Sequence, residues 1–213
     1  MGQNYSKELV KATPVGNVGI RSFCAPADLA ELEFDAGFSS GKGYKTLFTG
    51  RESLKREAQQ PDTNLVLAIA GANRIIGFAI LAFPEPGERW AELGPMIMME
   101  VKAIEVVPRC RSAGIAGSML QMLLDHPRIE DRIIYMVGFS WTWDLASTRM
   151  TAEQYRRMVL SLFKPCGFEQ YPTNEPNICL KPENLFMCRI GKNVSEVVRY
   201  RFKWLRFGLS PLR

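Results

Sequence analysis

Histidine is nearly absent from this chain of 213 residues, His126 being the sole one. That excludes metal sites built on two imidazoles and leaves any Ser–His or Cys–His pair dependent on a single residue. His126 precedes Pro127 at a predicted helix end, where a capping or surface role is expected rather than that of a base. The five cysteines (Cys24, Cys110, Cys166, Cys179, Cys188) are widely spaced and form no C-x-x-C, so no zinc set is expected and a reduced, cytoplasmic setting fits them. No apolar run approaches the roughly 18 residues that span a membrane. The first residues lack the apolar core of a secretory signal. They do match Met-Gly-x-x-x-Ser through Gly2 and Ser6, a myristoylation pattern. No second membrane signal accompanies it, and a chance match within a flexible segment over 1–14 is expected. Repeats, low-complexity tracts and a dividing linker are also missing, so one domain over 1–213 is expected. Two phosphate-binding fingerprints fail: G-x-G-x-x-G does not occur, and GFSSGKG (37–43) has the wrong spacing and no hydroxyl residue after Lys42.

What remains is an ordinary globular composition, 46% hydrophobic and 23% charged, with enough length to bury a core. The net charge of +5 is mild for a nucleic-acid binder, and it suits an acidic partner or an anionic cofactor. Strands are predicted at 17–24, 64–71, 74–83, 96–107, 132–139 and 184–191, the second and third joined as a hairpin through Ala72-Asn73. Their long apolar runs imply burial on both faces. Helices are predicted after Pro26, over 51–60, over 114–125 with an apolar stripe of Ile115, Met119, Met122 and Leu123, and over 151–163 behind a Thr cap. A basic, aromatic helix closes the chain at 194–213. The order gives a mixed α/β fold with helices flanking one sheet.

The chemistry concentrates in EVKAIEVVPRCRSAGIAGSMLQMLLD (100–125). A buried strand ends at Pro108, a turn carries Arg109 and Arg111, and a helix begins at Gly114 with no bulky side chain. Small residues there allow a ligand to approach the main chain. The free N–H groups and partial positive charge of a helix start can receive a pyrophosphate.

Val-x-Pro-x-x-Arg-x-x-Gly-x-Ala, from Val106 to Ala116, resembles the coenzyme A motif of the GNAT N-acetyltransferase superfamily, and LFKPCGFEQY (162–171) is similar to its closing helix and Gly-Phe turn. A narrower resemblance covers nearly the whole chain. FPEPGERW (83–90), ELGP (92–95), AIEVVPRCR (103–111), SWTWDL (140–145), TNEPNI (173–178) and MCRIGKNVS (187–195) are similar to the AcuA acetyltransferases of the acetoin-utilisation operon. These resemblances imply the GNAT acyl-CoA N-acyltransferase fold, acetyl-CoA as cosubstrate without a metal, and a lysine of acetyl-CoA synthetase as acceptor, whose acetylation inactivates the synthetase. Nucleic acid and membrane are not implied as partners, and the oligomeric state stays open. A small amine as acceptor, or a non-catalytic acetyl-CoA sensor, remain as alternative readings.

By the same resemblance, main-chain N–H groups at Val106 or Val107 would hold the thioester carbonyl. Arg111 and the residues Ser112, Ala113, Gly114, Ile115, Ala116 and Gly117 would take the pyrophosphate. The base would be Glu100, eleven residues before Arg111, or Glu105; strand parity aims these two at opposite faces, and a bulge could reverse that. An ion pair with Lys102 is the bland alternative for either. Many relatives carry a Tyr where this chain has Phe163; Tyr155 or Tyr171 could substitute as general acid, and a thiol near pKa 8.5 is a tolerable leaving group without one. Trp141 and Trp143 could wall an acceptor groove with Asp144 drawing in a lysine ammonium, or they could pack in the core with Asp144 as a helix cap.

Overall fold

The computed structural model describes residues 5–38, 48 and 50–209, which fall into two compact units. The described residues up to Ala82, with Lys102–His126 and Asp144–Arg149, make the first unit. Phe83–Val101, Pro127–Trp143 and the residues from Met150 onward make the second. Gly2 of the acylation pattern, residues 39–43 of GFSSGKG and the last residues of the predicted closing helix, 210–213, lie outside the described residues.

The first unit contains β1 (Glu8–Thr13), β2 (Gly16–Arg21), β3 (Glu33–Phe34), α1 (Arg51–Ala58), β4 (Asn64–Ala70), β5 (Arg74–Ala82), the end of β6 (Met98–Val106), α2 (Ile115–Leu124) and α3 (Leu145–Thr148). β1, β2, β4 and β5 are successive antiparallel neighbours, and β3 lies parallel to β5. The expected flexible start therefore holds a strand. In it Leu9, Lys11 and Thr13 are half-buried while Glu8, Val10 and Ala12 are exposed, the alternation of a polar edge strand rather than an apolar run.

β4 and β5 are buried nearly end to end, and α2 packs on both. Asn64 ties this layer together, its buried amide donating to the carbonyls of Met122 (3.0 Å) and Leu123 (3.2 Å) at the end of α2. The register of β4 with β5 shifts after Ala68, from Ala68↔Gly77 to Ile69↔Ile75, and leaves Ile76 as an extra residue. Such a bulge turns a carbonyl out of the ladder. Here the Ile76 carbonyl accepts from the N–H of Val107 at 2.9 Å, just past β6. Gly77 stands beside it because a Cβ would meet the Glu105 carbonyl oxygen at 3.0 Å and Met119 at 3.2 Å.

The second unit contains the start of β6, β7 (Ile133–Gly138), α4 (Ala152–Phe163), β8 (Glu169–Gln170), α5 (Pro176–Cys179), β9 (Leu185–Ile190) and α6 (Glu196–Leu205). β6 runs parallel to β7 over Met98–Glu100 with Ile133–Tyr135, while β7 is antiparallel to β9 along its length and β8 caps β9. Trp90 stacks on Phe186 with ring centroids 4.3 Å apart, and Tyr135, Val194, Phe202 and Leu205 close the core around them. Arg89 donates to the Asn174 side-chain oxygen at 2.7 Å and the Arg206 carbonyl at 3.3 Å. FPEPGERW and TNEPNI are thus joined through one guanidinium. Parallel and antiparallel pairs under flanking helices give the mixed α/β class expected.

MCRIGKNVS turns at Gly191, whose N–H donates to the Arg132 carbonyl at 2.9 Å. A Cβ there would lie 2.3 Å from the Glu130 carbonyl oxygen, a backbone atom with no rotamer to yield. Gly191→Ala should therefore cost about 3 kcal/mol, read as a drop in the unfolding midpoint in denaturant.

Candidate active site

The turn from β6 to α2 is fixed at its start by the Val107–Ile76 hydrogen bond, and Pro108–Cys110 then makes a short 3-10 turn. Ser112 and Gly114 adopt left-handed backbone, φ 63° and 71°, a geometry that glycine reaches without strain. Gly114 is the N-cap of α2 and has no side chain to bond the helix start. Among the described residues, the N–H groups from Ser112 to Gly117 find no protein acceptor, and internal helix bonding begins with Ser118 N–H to the Gly114 carbonyl at 3.1 Å. The expected donors therefore line one turn with a positive helix pole behind them.

Arg111, expected to face a phosphate, is turned inward. Its Nε donates to the Val106 carbonyl at 2.9 Å and its Nη1 to Asp144 Oδ2 at 2.7 Å. Asp144 is 2% exposed and caps α3, its Oδ1 accepting from the Ser147 N–H at 3.1 Å. Burial pushes the Asp144 carboxyl up, but the hydrogen bonds from Arg111 and Ser147 outweigh it and leave the group below the usual carboxylate range. Both oxygens are thus engaged, as the helix-cap reading of this residue requires. Arg109 meets Asp35 with both terminal nitrogens, and the Gly37 N–H donates to the same carboxylate at 2.8 Å. The Arg109 guanidinium holds Asp35 low. A small concavity between these groups is lined by Gly37, Phe38, Glu105, Val106, Arg111 and Ser147.

The sequence reading missed two residues here. Asp35 lies in FDAGF, where no spacing marks it. Lys11 lies in the strand that was expected to be flexible. A Cβ on Gly114 would come 3.2 Å from Lys11 Nζ and 3.3 Å from its Cε, so the ammonium stands beside the helix start.

Of the two glutamates, Glu105 is on the wall of that concavity. Glu100 lies in the second unit, opposite Tyr135 at the last parallel pair of β6 with β7. The Tyr135 hydroxyl donates to Glu88 at 3.2 Å. Burial holds its proton far above the ordinary range, and the charges of Glu100 and Glu88 add to that. Lys102 pairs with Glu57 at 3.3 Å.

Trp141 is 54% exposed, stacked on Phe139 with Lys181 over its ring. Trp143 is half-buried and stacks on Tyr155 at 5.0 Å. The bland expectation of two core tryptophans thus fails for Trp141, whose ring has too few neighbours to leave water. Phe163 is buried edge-to-face against Phe168, next to Gly167 at φ 82°. The Tyr171 hydroxyl lies 3.4 Å from Glu169. His126 is 4% exposed, not on the surface: Phe23 packs on its ring and a ring nitrogen meets the Asp62 carbonyl at 3.2 Å. All five cysteines are free thiols.

No family model matches the chain. Curated relatives do. The chain is 32% identical over 203 residues to the acetoin utilization protein AcuA of Bacillus licheniformis, covering 95% of this chain and 94% of that one. It is 30% identical over 195 residues to AcuA of Bacillus subtilis, covering 92% and 91%. Among solved structures, an acetoin utilization protein from Exiguobacterium sibiricum superposes with a TM-score of 0.88 at 28% identity, over 98% of this chain and 97% of that one. The GNAT domain of a protein named PAT from S. lividans superposes with a TM-score of 0.51 at 12% identity, over 85% and 95%, which bears on the fold alone.

Asp144 and Asp35 are both depressed in the folded protein, so the stability they confer is complete above the unfolded carboxyl value of about 4 and is lost as pH falls through their folded values. Unfolding free energy measured from pH 6 to pH 2 should fall below about pH 4 in the wild type. Asp144→Ala should lose about 2 kcal/mol at neutral pH through the missing cap and the stranded Arg111, and its curve should be flatter in acid.

Proposed function

The chain belongs to the AcuA family and has the GNAT acetyltransferase fold, and from that premise we propose a protein-lysine N-acetyltransferase that uses acetyl-CoA and acetylates, and so inactivates, acetyl-CoA synthetase. The observation that carries the cosubstrate is the turn of main-chain N–H groups from Ser112 to Gly117, without protein acceptors among the described residues, at the positive pole of α2. The residues fit a diphosphate, which can accept several such bonds at once. The acceptor rests on the resemblance to the AcuA acetyltransferases alone.

Acetyl-CoA, when bound, supplies an acetyl thioester and a thiol as leaving group. The chain's own residues do the rest. An amine near pKa 10.4 is protonated at neutral pH, so Glu100 takes its proton as general base. The freed nitrogen forms a bond to the acetyl carbon as the bond to sulfur breaks. The N–H of Val107 donates to the Ile76 carbonyl, which favours the main-chain N–H at Val106 over that of Val107 as donor to the thioester carbonyl oxygen. Phe163 cannot protonate the departing thiolate. None is demanded, because a thiol near pKa 8.5 leaves without a strong acid. Arg111 and Asp144 act by holding the turn in shape, and Trp141 supplies an exposed wall for the acceptor protein, with Trp143 behind it on Tyr155.

Incubating purified acetyl-CoA synthetase with acetyl-CoA and this protein should add an acetyl group to one lysine, seen by mass spectrometry, and abolish synthetase activity. Glu100→Gln should slow that transfer at least a hundredfold, while Glu105→Gln retains it within a few-fold. Loss with Glu105→Gln alone would move the base to Glu105, and no transfer by the wild type would remove the synthetase as substrate.

A further inference from the structure

Two lysines flank α2 from the N-terminal strand region, and their surroundings differ. Lys7, just before β1, pairs with Asp125, the C-cap of α2. Lys11, within β1 and half-buried, stands at the opposite end, its ammonium against Gly114 at the helix start. No carboxylate among the described residues pairs with it. The N-terminal pole of a helix carries partial positive charge, so a cation there is repelled unless an anion sits between them. The turn beside it has main-chain donors from Ser112 to Gly117 with no acceptor among the described residues. Arg109 and Arg111, the nearer cations by sequence, are already committed to Asp35 and Asp144.

We infer that Lys11 is the charged partner of the cosubstrate's diphosphate. Its ammonium closes over phosphate oxygens held from below by the α2 turn, and it supplies the positive side chain that Arg111 does not. This rests on the reading that the turn receives acetyl-CoA. A charged donor on an already hydrogen-bonded phosphate strengthens binding through Coulomb attraction that salt screens. It also accounts for Gly114 twice over, since any side chain there would be strained at φ 71° and would displace Lys11. The 3′-phosphate of coenzyme A offers the same chemistry, and the choice of ligand separates the two.

The test is calorimetric titration of coenzyme A and 3′-dephospho-coenzyme A into wild type, Lys11→Gln, Lys11→Arg and, as an equal charge change at the other end of α2, Lys7→Gln. Melting temperatures without ligand confirm that each variant is folded. Lys11→Gln should weaken both ligands roughly tenfold and reduce the loss of affinity on raising salt. Lys11→Arg should restore most of the binding, and Lys7→Gln should stay within twofold of wild type. Unchanged affinity in Lys11→Gln overturns the inference while leaving the cosubstrate reading intact. Weakened binding of coenzyme A but not of the dephospho form overturns the diphosphate assignment in favour of the 3′-phosphate. A wild type that binds neither ligand refutes the cosubstrate reading and Lys11's role together.

Discussion

One backbone hydrogen bond, from the Val107 N–H to the Ile76 carbonyl, governs the geometry of the first unit. It exists because the bulge in β5 leaves Ile76 outside the β4–β5 register. It fixes where the chain leaves β6, and Pro108 lets it go no further as strand. From that point the turn has only a few residues in which to reverse into α2, and it does so with two left-handed positions, Ser112 and Gly114. The inward-turned Arg111 clamps the same turn from the side through the Val106 carbonyl. What remains is a run of N–H groups, Ser112 to Gly117, without a protein acceptor among the described residues.

The second unit is organised by different means. Trp90, Tyr135 and Phe186 form its centre, and polar braces run around it: Arg89 to Asn174 and the Arg206 carbonyl, Arg189 to Glu130, Arg199 to the carbonyls of Val194 and Gly191. Each brace joins segments far apart in sequence. The stretches that mark this chain as AcuA-like, FPEPGERW, TNEPNI and MCRIGKNVS, supply many of these partners. Their residues are therefore explained by architecture before any contact with an acceptor is invoked.

The strands over 64–71, 74–83 and 132–139 were legible because an apolar run bounded by turn residues has few other fates in water. α2 and its cap at Gly114 were legible for a related reason, since the spacing of Ile115, Met119 and Leu123 leaves one face to bury. β1 was not, because an edge strand with polar alternation looks like a tail until its partner is known. The roles of Arg111 and Asp144 were also hidden. A guanidinium in a turn reads as a phosphate ligand from sequence, and only the position of a buried carboxylate 33 residues away turns it inward. His126 went the same way: a residue two places past a helix looks exposed until Phe23 covers it. The pattern is that local periodicity was readable, and pairing over long sequence distance was not.

In the function proposed above, the turn before α2 would hold the diphosphate chiefly with main-chain N–H groups, which every residue but proline possesses. A side-chain ligand can be deleted by one base change, whereas a main-chain N–H survives any substitution other than proline that keeps the backbone path. What such a turn requires is therefore shape, set by Gly77, Ser112 and Gly114 and by the carboxylates that hold the arginines, rather than a set of recognition side chains. On that reading the exposed surface around Trp141, in the other unit, could change without altering how the turn that holds the donor is built.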